Sequence, residues 1–109
     1  MLTKYNTEIS NDIIINNLKR IINQTYKLLP NREEGIDWET PLMTIIEECA
    51  GMNRLFENEW GEDYLTLLCK MEGLLTLTDK EDFFNFRRII FECLSLMNGI
   101  KSNVIRESK

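Results

Sequence analysis

The sequence predicts an all-α protein, an antiparallel four-helix bundle in a single domain. Three observations carry that expectation. Apolar residues recur at spacings of three and four in four separate segments. Helix-capping or helix-stopping residues punctuate the spaces between them. There is no strand of consequence, no internal repeat and no low-complexity tract. With 109 residues, 43% of them hydrophobic and 28% charged, the chain can bury one core without metal or disulfide support.

The first helix is predicted over about residues 10–29. Ser10, Asn11 or Asp12 can cap its start. Ile14, Leu18, Ile21, Ile22, Thr25, Leu28 and Leu29 share one face, and Asn16, Lys19, Arg20, Asn23 and Lys27 the other. Pro30 is its expected stop. A connector, "PNREEGIDWETP", follows, with Gly35 at its turn and Trp38 placed to tuck under the bundle. The second helix, about 41–57, has Thr40 as its predicted cap and Pro41 at its first position, where a missing N–H costs nothing. Leu42, Ile45, Ile46, Cys49, Asn53 and Phe56 form its inward stripe, while Glu47, Glu48, Gly51 and Arg54 point away. It ends near "ENEWGED".

A third helix spans about 62–75, with Tyr64, Leu67, Leu68, Met71 and Leu75 facing inward. Thr78 and Glu81 then have the spacing of a capping box. They open a fourth helix over about 79–98, whose inner stripe is Phe83, Phe86, Ile90, Cys93, Leu94 and Met97. Asn98-Gly99 reads as its stop, leaving residues 99–109 as a loosely attached tail.

Composition excludes several kinds of chemistry. There is no histidine, which removes Ser-His-Asp and Cys-His catalysis and imidazole-based zinc sites. Cys49, Cys69 and Cys93 are an odd number at wide spacing, with no CxxC clip. They read as small buried hydrophobes in a cytosolic protein. No run approaches ~18 apolar residues, so no membrane span is predicted. The opening "MLTKYNTEISND" lacks the apolar run of a secretion signal, and the expected location is the cytoplasm.

Glu47 and Glu48 raise the question of a metal. MazG-type all-α nucleotide pyrophosphatases use an EExxE helix, but here Gly51 stands where that motif needs its last acid. The helical wheel also turns both glutamates away from the interior. Glu92 likewise lies opposite its inner stripe, four residues from Arg88, with which it can pair. No catalytic residue, metal site or cofactor is therefore predicted. A small magnesium-dependent nucleotide hydrolase is the competing reading. Arg87, flanked on the wheel by Phe83, Ile90 and Leu94, needs a partner if buried, and Glu72 is its expected one.

Charge is unevenly distributed. Residues 1–30 carry four bases and two acids (net +2), 31–65 two bases and ten acids (net −8), and 66–109 seven bases and six acids (net +1). The acidic block comprises Glu33, Glu34, Asp37, Glu39, Glu47, Glu48, Glu57, Glu59, Glu62 and Asp63, interleaved with Trp38 and Trp60. Such a field disfavours nucleic acid and attracts basic protein surfaces, and tryptophan among charges is a hot-spot composition. Phe84, Ile89 and Leu96 lie outside the inner stripe of the fourth helix and mark a candidate homodimer surface.

The stretches "YKLLPNREEGIDWETPL", "IIEECAGMNRLF", "LCKMEGLLTLTDKEDFF" and "RRIIFECLSLM" together resemble small helical proteins encoded on prophages and integrative elements of Gram-positive bacteria. The resemblance covers roughly residues 21–97 and contains no catalytic signature. It implies an interaction protein of a mobile element. An inhibitor of host defence, such as an anti-CRISPR protein masking the basic nucleic-acid channel of a guided nuclease, belongs to that class. A structural homodimer or adaptor is the remaining alternative.

Overall fold

In the computed structural model, which describes residues 1–107 with the surroundings of Gly61 excepted, three long helices form a four-column bundle. They are α1 (Asn11–Glu33), α2 (Glu39–Leu74) and α3 (Phe83–Glu107), and a 3-10 turn at Lys80–Asp82 leads into the last. The columns number four because α2 folds back on itself. Phe56 (φ −124°, ψ 23°) and Trp60 (φ −130°, ψ 17°) leave helical geometry and divide α2 into two arms. A straight 36-residue helix would be ~54 Å long, whereas the longest dimension of the molecule is 45 Å.

Neighbouring side chains establish the directions. Arg20 of α1 meets Glu48 of the first arm, and Gln24, Lys27 and Asn31 line a groove with Thr44 and Pro41, so these two run antiparallel. Thr25 meets Met97 and Arg32 meets Phe86, so α1 and α3 are antiparallel. Lys70 meets Glu92 while Trp60 lies beside Asn103 and Arg106, so the second arm opposes α3. The result is the up-down-up-down bundle that the periodicity predicts.

The core contains most of the predicted inward residues, while Leu29, Ile46, Asn53, Leu68, Leu75 and Phe83 are only partly buried. Ile14, Leu18, Ile21, Ile22, Thr25 and Leu28 are buried from α1, and Leu42, Ile45, Cys49 and Phe56 from the first arm. Tyr64, Leu67, Met71 and Leu74 are buried from the second arm. From α3 come Phe86, Ile90, Cys93, Leu94, Met97, Ile100 and Val104. Phe56, Trp60 and Tyr64 stack at centroid distances of 4.8 and 5.8 Å, an aromatic column that spans the fold-back and ties its two sides together.

Four boundaries differ from expectation. Pro30 does not stop α1; it sits inside the last turn, where it removes one hydrogen bond while Glu34 N–H still donates to Pro30 O at 3.0 Å. The stop is Gly35, in the left-handed region at φ 72°. Gly35 N–H donates to Arg32 O and Ile36 N–H to Asn31 O, the two bonds of a Schellman closure. Asp37, not Thr40, caps α2: its carboxylate accepts from the N–H groups of Glu39 (3.1 Å) and Thr40 (3.2 Å). Hydrogen bonding from the Thr40 side chain, together with these backbone N–H groups, holds the Asp37 carboxyl below its usual value.

The capping box at Thr78 does not form. The chain makes a 3-10 turn at Lys80–Asp82 with no side-chain cap, and α3 begins at Phe83. Finally, α3 does not end at Asn98-Gly99. It continues to Glu107 because Ile100 and Val104 extend the buried stripe beyond the glycine; the last two residues of the predicted tail lie outside the described residues.

Residues 1–9, which precede the first predicted helix, form a strap across the fold-back end. Leu2 and Glu8 pair as an isolated bridge, and Asn6 turns the chain with φ 63°. Lys4 donates to Leu55 O at 2.8 Å through its backbone and to Glu57 at 2.7 Å through its side chain.

Candidate functional site

The acids that are contiguous in sequence do not form one face. The first arm of α2 runs the length of the bundle and carries them to three places. Glu33, Glu34, Asp37 and Glu39 lie at the end where α1 passes into α2. Glu47 is exposed midway, and Glu48 beside it is half-buried in a two-pronged pair with Arg20 (3.2 and 2.9 Å). Glu57, Glu59, Glu62 and Asp63 gather at the opposite end, lining a depression of 310 Å³ with Asn58 and Trp60.

That fold-back cluster is partly neutralised. Lys4 pairs with Glu57, and Arg106 lies beside Glu59. Trp60 is only 5% exposed, so it is a core residue and not a surface anchor.

The other end is different, because the tertiary structure adds acids that the local sequence does not supply. Arg32, in the last turn of α1, reaches across and donates to Asp79 O at 2.8 Å. Its guanidinium stacks over Phe86 (4.3 Å), Trp38 (5.0 Å) and Phe83 (6.0 Å), and Trp38 meets Phe86 edge-on at 4.9 Å. Burial among these rings lowers the Arg32 pKa from its usual value, and the surrounding Asp82, Asp79 and Glu39 carboxylates oppose that shift.

The arginine thus clasps the α1–α2 connector to the α2–α3 connector. Together with the helix ends that flank them, the connectors carry seven acids (Glu33, Glu34, Asp37, Glu39, Asp79, Glu81 and Asp82) and two bases (Arg32 and Lys80). This is net −5, which equals the charge of the whole chain. Ile36, half exposed, stands among them. The second-connector acids are the part that the sequence reading missed. The available signal was Arg32 itself, a cation immediately before the acidic run with no partner at helical spacing.

The other predicted site residues are placed as follows. Arg87 is not buried and does not pair with Glu72; both are exposed, and the Arg87 guanidinium lies 5.6 Å over Phe91. Its long stem lets it leave the flank of the inner stripe. The arginine that does need compensation in the interior is Arg32. Phe84, Ile89 and Leu96 do not share a face: Ile89 and Leu96 flank the core, while Phe84 points outward at 75% exposure. Arg88 and Glu92 pair as expected at 3.0 Å, and Lys70 joins them at 3.4 Å.

Cys49 and Cys93 are buried, and burial pushes both thiols up to about 12. Cys69, in contrast to its prediction as a core residue, is exposed. Among the described residues no group of three or more cysteines, aspartates or glutamates is placed to share a metal ion. No helix is long and apolar enough to cross a membrane. Comparison with protein-family models, with curated proteins and with solved structures returns no match.

Proposed function

We propose that this protein is a non-enzymatic interaction module whose acidic loop end docks on a basic surface of a partner protein. One observation carries the reading: Arg32 fastens two acidic connectors together at one end of the bundle, where the charges sum to −5. A field of that sign steers basic partners and repels nucleic acid. Ile36 and the exposed edge of Trp38 provide apolar contact inside the charged rim, the usual composition of an interface centre.

The basic surface we favour is the nucleic-acid channel of a host defence nuclease, and masking it would exclude the nucleic acid. We take that setting, in which the protein acts in the host cytoplasm, from the resemblance of the four quoted stretches to proteins of prophages and integrative elements.

The test uses a labelled lysine- and arginine-rich peptide, followed by fluorescence anisotropy at low and high salt. The triple variant Glu33→Gln, Glu34→Gln, Glu81→Gln is expected to bind about tenfold more weakly and with a shallower salt dependence. The double variant Glu57→Gln, Glu59→Gln at the far end should bind like the parent. Equal losses in the two variants, or no loss in the first, sink the assignment. A guided nuclease loaded with its RNA then reports on masking: cleavage should fall with the parent protein and recover with the triple variant.

A further inference from the structure

The fold-back of α2 is built on a sequence that describes one uninterrupted helix. From Leu42 to Leu74 its inward residues step by three or four without a gap, with half-buried Met52 between buried Cys49 and Phe56. The mean step is about 3.6, the period of a straight helix. Two helices joined by a turn need no such continuity of phase, and breakers normally mark the turn. No proline lies between Leu42 and Leu74. Gly61 follows Trp60 in the sequence, but Gly51 and Gly99 show that helices of this chain run through glycine.

Among the described residues of α2, the backbone leaves helical geometry at Phe56 and Trp60. Phe56, Trp60 and Tyr64 are spaced by four, so their stacked rings would remain neighbours in a straight helix. The strap holds the bend. Lys4 grips the residue on each side of Phe56, its N–H donating to Leu55 O (2.8 Å) and its ammonium to Glu57 (2.7 Å). In a straight helix Leu55 O would instead receive the N–H of Glu59. Buried Thr3 seats this grip, its hydroxyl accepting from the N–H groups of Tyr5 and Thr7 at 3.2 Å each.

We propose that α2 is a hinge with two settings, folded back in the single chain and straight in a domain-swapped dimer, and that Lys4 is the latch on the first. In the straight setting the second arm and α3 of each copy leave their own α1 and first arm and pack on those of the other. The partner is a second copy because the apolar faces uncovered by opening are matched, side chain for side chain, by the same halves of another chain. The contacts between halves are remade between copies, and the change of backbone is confined to the turn. The two bundles then lie end to end through their fold-back ends. Glu57, Glu59, Glu62 and Asp63 gather there and outnumber Lys4, Arg54 and Arg106. Joining two such ends is opposed by repulsion, which salt screens. Latch and repulsion together keep the single chain folded back at low salt. This inference is independent of the docking role of the loop end.

The test is light scattering of the full chain, refolded at about 500 μM in about 0.5 M sodium chloride, since concentration and salt set the equilibrium. The parent should run at the 12.9 kDa of one chain. Lys4→Glu and Lys4→Pro should run at twice that mass, with helix content retained by circular dichroism. Each dimer releases two latches, so a tenfold effect per latch lowers the dissociation constant about a hundredfold. Adding Glu57→Lys to Lys4→Glu should restore the single chain. Topology is read by a thiol pair across α1 and α3, Tyr26→Cys with Phe91→Cys, where the two rings lie 6.5 Å apart. It is placed in a Cys69→Ser, Lys4→Glu chain, which lacks the exposed native thiol. Oxidation should join two chains in the dimer, seen by non-reducing denaturing electrophoresis. Single-chain masses for both Lys4 variants overturn the proposal, as does a parent that dimerises as tightly as they do. A dimer whose thiol link stays inside each chain, the mark of surface pairing, overturns it too, as does a charge swap that fails to restore the single chain.

Discussion

Three cysteines of identical chemistry end in two environments. Cys49 and Cys93 lie on inner stripes and are buried, whereas Cys69 is exposed two residues after buried Leu67. Since the thiolate is the reactive form, one thiol per chain should react with a disulfide reagent at pH 8, and three after denaturation. Fast labelling of all three in the folded protein would contradict the burial. Both buried thiols are raised from 9.0 to about 12. The unfolded chain therefore releases their protons at lower pH than the folded one. Their stabilising effect is complete below about pH 9 and is lost as pH rises toward 12, on the order of 1 kcal/mol per thiol at pH 10. A Cys49→Ala, Cys93→Ala variant should lose part of this alkaline sensitivity in thermal melts across that range. Tyr64 makes a second test. Its hydroxyl is buried and finds no hydrogen-bond partner among the described residues, so Tyr64→Phe should be neutral or stabilise by up to about 1 kcal/mol. A loss larger than that by chemical denaturation would mean the hydroxyl is satisfied.

At the level of the elements, the inward stripes were legible because a period of 3.6 is printed directly in the order of residues. Helix ends were less so. Pro30 and Gly99 read as stops, yet each lies inside a helix: Gly99 because Ile100 and Val104 beyond it still face the core, and Pro30 because it falls in the last turn, where only one hydrogen bond is lost before Gly35 closes the helix. The consequence for α3 can be measured. If residues 99–107 were a frayed tail, Ile100→Ala and Val104→Ala would be silent. Both are buried, and each should cost about 1–4 kcal/mol, the larger figure for Ile100. Asp37→Ala should lower the melting temperature by removing the acceptor at the start of α2, with the loss present above the carboxyl titration range. It should fade as pH falls and Asp37 in the parent becomes protonated, since its folded-state pKa is the depressed one.

Across the whole molecule, charge and shape are set by where the chain turns. The acidic run of residues 33–63 reads as one patch, but the first arm of α2, about 25 Å long at 1.5 Å per residue, divides it between opposite ends. The loop end then gains Asp79, Glu81 and Asp82 from a connector some forty residues on. So many like charges at one end repel one another, and added salt screens that repulsion. The melting temperature should therefore rise from low to moderate sodium chloride, and this rise should shrink in the Glu33→Gln, Glu34→Gln, Glu81→Gln variant. A flat salt response in the parent would show that the carboxylates lie too far apart to interact.

From its order of residues alone, this chain determined that it is helical, that it makes four columns, and which side of most of them faces inward. Those properties follow from local periodicity and from the free energy of removing apolar groups from water, which act within a few turns of backbone. Only the packed bundle decided which distant charges are neighbours: Arg32 with the carbonyl of Asp79, Arg20 with Glu48, and the two acidic connectors with each other. Electrostatic interaction depends on separation in space, and separation in space exists only once the columns have chosen their order.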